Sequence, residues 1–340
     1  MKKIDFSQNF LYSSPKGVEL KSIKSQIEIE VDDEMYCPIR KADDPHFFRN
    51  DWTALAFRSF NIVNSRKSKI TSLCVMGTGS GLDTIGAIET FSPKNVVITD
   101  YDWKLVERAL WNIRQNVIDP GAINIKEIGC SFFENRAKFK DSKFDLIYEN
   151  LPNIPDELIT YDEHAPYGSF IPKCNRLELV GKVPEKYKYF LLTSHYIFLQ
   201  QAKEFLAKDG IVICCIGGRV KSEIIEELFY EQGYKSEVIL YDFKRQNEAG
   251  TNLAGYSQWE NEMLYKRFNS KFIFYPYSDT LAFLEKNYKY NKLSGFLDQK
   301  EIIKKEIQEY SISADEANKT FKSNIEIGHE VSIILASVNK

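Results

Sequence analysis

The residues best placed for chemistry lie in three short strings. The first is Val75-Met76-Gly77-Thr78-Gly79-Ser80-Gly81, which follows an apolar run and opens a helical pattern. Glycines in that position let the chain turn sharply and bring backbone N–H groups close to a ligand. The second is Asp100, which ends another apolar run 23 residues after Gly77. A carboxylate there can accept hydrogen bonds from both hydroxyls of a ribose. The spacing fits a nicotinamide dinucleotide and S-adenosylmethionine equally. The third string is Tyr148-Glu149-Asn150-Leu151-Pro152-Asn153, where Asn150 offers a side-chain acceptor at the end of a strand-like run.

The elements that must position these residues alternate along the chain. Apolar runs at 70–76, 95–99, 144–148, 210–216 and 235–241 read as buried strands. Helical patterns at 82–90, 103–117, 187–208 and 222–232 fall between them. Such alternation predicts a parallel sheet covered by helices on both faces. A final strand is expected at 331–338. The stretch 243–327 before it reads as a large insertion with helices and a strand at 272–277, and 156–188 reads as a second insertion. Residues 50–64 have helical spacing, with Asn50 or Asp51 as cap. Residues 25–31 alternate as a one-faced strand, so residues 1–48 are expected to form a small β-rich cap on a domain spanning 49–340.

Bulk properties narrow the class. The 340 residues carry a net charge of −3, with 43% hydrophobic and 14% aromatic residues. Neither a basic balance nor a basic stripe is present, so nucleic acid is not an expected partner. The six cysteines form no C-x-x-C pair, and no metal site is expected. No run of 18 apolar residues and no apolar leader occurs, so the expected location is the cytoplasm and no membrane is involved.

Taken in order, the glycine loop, Asp100 and the string from Phe144 to Asn153 resemble the class I S-adenosylmethionine-dependent methyltransferases. The match is nearest the branch with an Asn-Pro-Pro-Tyr-type motif, which includes the release-factor glutamine methyltransferases. It covers residues 50–241 well and the flanks poorly. The resemblance implies a Rossmann-like α/β fold with a mostly parallel seven-stranded sheet. It also implies that Gly77, Thr78, Gly79 and Gly81 line the methionine and ribose part of the cofactor. Asp100 would hold the ribose, Tyr101 would lie against the adenine, and Ser131 and Phe132 would contact its edge. Asn150, itself also expected at the cofactor, and the Leu151 carbonyl would accept the hydrogens of a target nitrogen and aim its lone pair at the methyl group.

Two departures from the family pattern stand out. An acid often precedes the first glycine by two residues; here the position is Val75. The motif itself reads Asn150-Leu151-Pro152-Asn153, which lacks the aromatic platform for a flat substrate. The expected activity is therefore methylation of a nitrogen, or less readily an oxygen, of a small amino-acid-like metabolite. Intramolecular cyclisation of S-adenosylmethionine, of the azetidine-forming type, is the chief alternative. Protein glutamine methylation, a nicotinamide-dependent dehydrogenase and a non-catalytic binding module also remain open, as does a homodimer. His164, in an acidic and aromatic loop, is a candidate general base. Tyr187 is a candidate catalytic residue. His195 reads as a structural residue facing the sheet. Arg219 reads as a partner for a substrate carboxylate or a surface salt bridge. Residues 328–330 read as a turn.

Overall fold

A computed structural model describes residues 2–7, 20–31, 46–67, 69–155 and 182–339. Its centre is a sheet whose main strands run in the order β5-β4-β3-β6-β7-β10-β8. These are β3 (Ser72–Met76), β4 (Asn95–Asp100), β5 (Asn124–Gly129), β6 (Phe144–Glu149), β7 (Leu206–Gly218), β8 (Tyr234–Arg245) and β10 (Ile327–Val338). The pairs from β5 through β7 are parallel, whereas β10 runs antiparallel to both β7 and β8. The two-residue β9 (Tyr275–Pro276) adds to the start of β10. The expected Rossmann-like methyltransferase architecture is therefore present, with seven main strands and one of them reversed.

Helices α2 (Trp52–Arg66), α3 (Leu82–Phe91) and α4 (Trp103–Asn116) cover one face. Their apolar sides form one core with Leu73, Val75, Ile98, Leu146 and Ile213. Asp51 caps α2 by accepting from the Thr53 N–H at 2.9 Å, which fixes where that helix begins. The other face is covered by α5 (Glu185–Tyr189), α6 (Thr193–Ala202), α7 (Ser222–Glu231) and α8 (Ala249–Trp259). The single long helix expected at 187–208 is in fact two. Leu191 takes a left-handed φ of 59° between them, and residues 206 onward already belong to β7.

The N-terminal strands β1 (Lys2–Asp5) and β2 (Glu28–Val31) pair antiparallel and dock on α4. Asn112 is the pivot: its Nδ2 donates to the carbonyls of Glu30 and Ser80, each at 2.9 Å. One buried amide thus ties this small sheet to the glycine loop.

The stretch after β8 packs back on the molecule. It contains α10 (Tyr277–Asn287), α11 (Lys300–Ile307) and α12 (Ala314–Lys322), after the short α9 (Tyr265–Phe268). The strand expected at 272–277 shrinks to β9, because Tyr277 already starts α10. A buried ion cluster binds this stretch to the start of the domain. Asp242 on β8 accepts from Arg58 Nη1 at 2.8 Å and from Tyr290 OH at 2.8 Å. Arg49, at the short α1 (Phe47–Asn50), lies 3.4 Å from the same carboxylate. Among the described residues, no helix is long and apolar enough to cross a membrane.

Candidate functional site

The strand order changes direction beside β3, whose neighbours are β4 and β6. Ligands of open α/β sheets bind outside the carboxyl ends of the strands at such a switch point. All three strings singled out by the sequence end there.

The glycine loop leaves β3 and enters α3. Gly77, Gly79 and Gly81 have φ of 70°, 49° and 84°, a region that strains residues with a side chain. Most of the loop's N–H groups are held internally. Gly77 and Thr78 both donate to the Thr99 carbonyl at 2.9 Å, and Gly81 donates to Thr78 at 2.8 Å. The Thr78 hydroxyl is buried against that of Thr84, 3.2 Å away. Thr78 therefore braces the loop with its side chain turned inward. Gly79 is the open point, for a Cβ built there would meet nothing within 4 Å.

Asp100 closes the loop from the side. Its Oδ2 accepts the Gly79 N–H at 3.0 Å. Burial raises the Asp100 carboxyl to about 6, although the N–H groups of Gly79, Asp102 and Tyr101 pull it back down. Cys130 donates its N–H to the Asp100 carbonyl at 2.9 Å, which sets Ser131 and Phe132 beside the acid at the end of β5. Phe132 holds a φ of 49°, an uncommon conformation for a bulky residue and one that clusters at functional sites.

The loop after β6 meets the glycine loop directly. A Cβ on Gly77 would lie 3.0 Å from Leu151 Cδ2, so the two loops are in close contact there. Glu149 is fully buried, accepts the Leu151 N–H at 2.8 Å and lies 2.9 Å from His195 Nδ1. This pair fixes the backbone at 149–151. Asn150 is within hydrogen-bonding reach of Asp83, whose carboxylate also accepts from Tyr148 OH at 2.7 Å. A carboxylate only accepts, so it engages the Asn150 amide nitrogen and leaves the side-chain oxygen as an acceptor. Burial raises Asp83 to about 6.

Asp83 was not among the expected site residues. Its signal was its place two residues after Gly81, in the first turn of α3. Val75, where an acid is often found, is wholly buried in the sheet core and can touch no ligand.

Tyr187 stands apart from this group, contrary to the expected catalytic role. Its ring packs on Tyr196 in the core, and its hydroxyl donates to Glu231 at 2.6 Å. His164 lies outside the described residues, as does most of the insertion 156–188. Residues 328–330 are not a turn but part of β10. Arg219 is no surface residue, for its side chain is buried among neutral acceptors.

No protein-family model matches the chain, and comparison with curated proteins gives no match. Among solved structures, the chain is similar to a ribosomal protein L11 methylase from Lactobacillus delbrueckii subsp. bulgaricus, with 20% identity over 56% of this chain and 70% of that one, at a TM-score of 0.35. It is also similar to a precorrin-6y C5,15-methyltransferase from Geobacter metallireducens, with 10% identity over 83% and 86% and a TM-score of 0.37. The YcgJ protein of Bacillus subtilis aligns with 10% identity over 83% and 98%, at a TM-score of 0.41. Overlaps this loose say nothing about the reaction, which must be read from the site.

Proposed function

We propose that the chain is an S-adenosylmethionine-dependent enzyme that methylates a nitrogen of a small amino-acid-like metabolite. The observation that carries this reading is the meeting of the glycine loop, Asp100 and the Asn150 loop at one switch point. The residues fit the cofactor. Gly79 leaves an open floor, and Asp100 offers a buried carboxylate suited to a ribose diol. Asp83 supplies a buried acid near the loop for an ammonium group, in place of the one missing at Val75. A nicotinamide dinucleotide suits the sheet less well, since the dinucleotide fold has the order 3-2-1-4-5-6 and here the last strand enters reversed between β7 and β8.

The bound cofactor supplies a methyl group already activated by its positive sulfur. The protein's part is placement. The Asn150 oxygen and the Leu151 carbonyl accept the hydrogens of the acceptor nitrogen. Asp83 holds the Asn150 amide, and Glu149 with His195 holds the Leu151 backbone. Cyclisation of the cofactor would use the same contacts with no separate acceptor; methylthioadenosine formed from cofactor alone would establish it.

Calorimetry with S-adenosylmethionine across pH tests the cofactor assignment. A ribose diol donates to the ionised form of Asp100, whose carboxyl is raised to about 6. Affinity is expected to hold above that pH and to fall about tenfold from its high-pH plateau by pH 5, with up to one proton taken up on release. Asp100→Asn should weaken this dependence, with Asp83, also raised to about 6, carrying what remains. No binding at millimolar ligand, or an affinity in wild type that ignores pH over this range, would overturn the assignment.

A further inference from the structure

Arg219 follows β7 directly, on the same carboxyl edge as the Asn150 loop. Its side chain is 3% exposed. Its Nε donates to Gln246 Oε1 at 2.9 Å, its Nη1 to Asn153 Oδ1 at 3.0 Å, and its Nη2 lies 3.0 Å from His329 Nε2. His329 Nδ1 lies 2.6 Å from the Glu330 carbonyl. That ring must donate there and accept from Arg219, so it is neutral. Burial, Arg219 and Lys244 all press it toward the neutral form. Every partner of the guanidinium is thus uncharged, and no carboxylate among the described residues lies within ion-pair distance of it.

The strand register brings a second cation alongside. His329 on β10 is paired with Lys244 on β8, and the next residue, Glu330, is paired with Gly218 on β7. Lys244 is wholly buried; its ammonium contacts the Arg245 carbonyl at 3.0 Å and Asn247 Oδ1 at 3.3 Å. Burial and the neighbouring Arg219 push the Lys244 ammonium well below its usual range, and Asp51 and Glu248 pull it back up. The buried Arg219 guanidinium lies 5.3 Å over the Tyr256 ring, with a neutral acceptor on each nitrogen and a second basic side chain at its flank, an arrangement that is costly unless an anion completes it. Arg is suited to carboxylates because its planar fork matches their two oxygens.

We propose that Arg219 and Lys244 form a receptor for the carboxylate of an α-amino acid. The inference rests on the reading of the site as one for an amino-acid-like substrate. The acids fit the other end of the same ligand: Asp51 and Asp83 are near enough to feel each other, and Asp51 also feels Lys244. Carboxylates and basic side chains within electrostatic reach of one another suit a zwitterion. Two molecules could bring that carboxylate, the acceptor or the cofactor through its own methionine end.

The test uses the full chain and Arg219→Met, which keeps length and removes the charge. Ligands are S-adenosylhomocysteine, methylthioadenosine, and the common L-amino acids with their carboxamides at matched ionic strength. If the acceptor brings the carboxylate, one or more amino acids stabilise the S-adenosylhomocysteine-loaded wild type and the carboxamides do not. Arg219→Met then weakens that response at least about tenfold and leaves S-adenosylhomocysteine affinity unchanged. If the cofactor brings it, Arg219→Met weakens S-adenosylhomocysteine by a similar factor and spares methylthioadenosine. Either pattern supports the receptor. It is overturned if Arg219→Met alters neither response, or if no ligand in the set distinguishes carboxylate from carboxamide. Should Arg219→Met not fold, Arg219→Lys reads the same pattern, because it keeps the charge and loses the fork. Failure of methylthioadenosine to bind wild type would count against the cofactor assignment alone, since amino acids can be titrated without it.

Discussion

Replacing Asn150 by alanine is expected to cut turnover about 100- to 1,000-fold while cofactor affinity stays within about twofold. The asymmetry follows from the geometry. Gly79, with its open floor, and Asp100, with its carboxylate, lie on the β3 and β4 side of the switch point and do not depend on Asn150. The alanine variant removes an acceptor whose proposed task is to orient a nitrogen lone pair. It leaves the loop in place, because Leu151 remains tied to Glu149 by its N–H at 2.8 Å. The measurement is consumption of S-adenosylmethionine in the presence of a deproteinised cell extract as the acceptor pool, with cofactor affinity read separately by calorimetry. A parallel loss of affinity and turnover would place Asn150 in cofactor binding; unchanged turnover would remove it from the mechanism.

The largest effect on stability is expected at Asp242. Its carboxylate is wholly buried and meets Arg58, Arg49, Tyr290 and its neighbour's N–H, from Phe243 at 2.9 Å. Asp242→Ala would leave the buried Arg58 without its carboxylate and Arg49 with its other ion pair, to Glu285 at 3.0 Å. Breaking a buried pair in this way costs about 3–5 kcal/mol. Arg58 would also lose its alignment toward the Leu293 carbonyl, now 3.0 Å from its Nε. Urea denaturation followed by far-UV dichroism should show a correspondingly lower midpoint. Arg58→Met together with Asp242→Leu, which removes one cation with the acid and leaves Arg49 paired with Glu285, is expected to recover most of the loss. A decrease below about 1 kcal/mol in the single variant would mean that the cluster does not clamp the late stretch to the domain.

Much of the parallel half was legible in the sequence. Its strands are short apolar runs that end in Gly77, Asp100 and Asn150, residues that cannot continue a buried strand cheaply. Strand β5 was missed because Asn124–Gly129 is an edge strand with alternating exposed residues and no apolar run. The break between α5 and α6 was hidden as well, since a leucine at positive φ leaves no composition signal. The site divided in the same way. The glycine loop and Asp100 carry their chemistry in residue type and spacing. Arg219, Lys244 and His329 are distant in sequence and adjacent only through the β7–β10–β8 register. A charged residue after a Gly-Gly pair reads as a surface turn until the pairing is known. One hint was present: Asp242 and Lys244 interrupt an aromatic run with charges, where a plain core strand would have none.

The reversed β10 has a consequence for the order in which the molecule can be completed. Among the described residues, β8 joins the sheet only through β10, which follows it in the chain. Five strands, with the glycine loop and Asp100, can assemble from chain up to residue 218. Lys244 and His329 join Arg219 only when residues 327–338 insert between β7 and β8. Contacts of such long sequence separation form late. A newly made chain can therefore bring the glycine loop and Asp100 together well before Arg219, Lys244 and His329 meet. The two halves of the site are separated in time by the topology that brings them together in space.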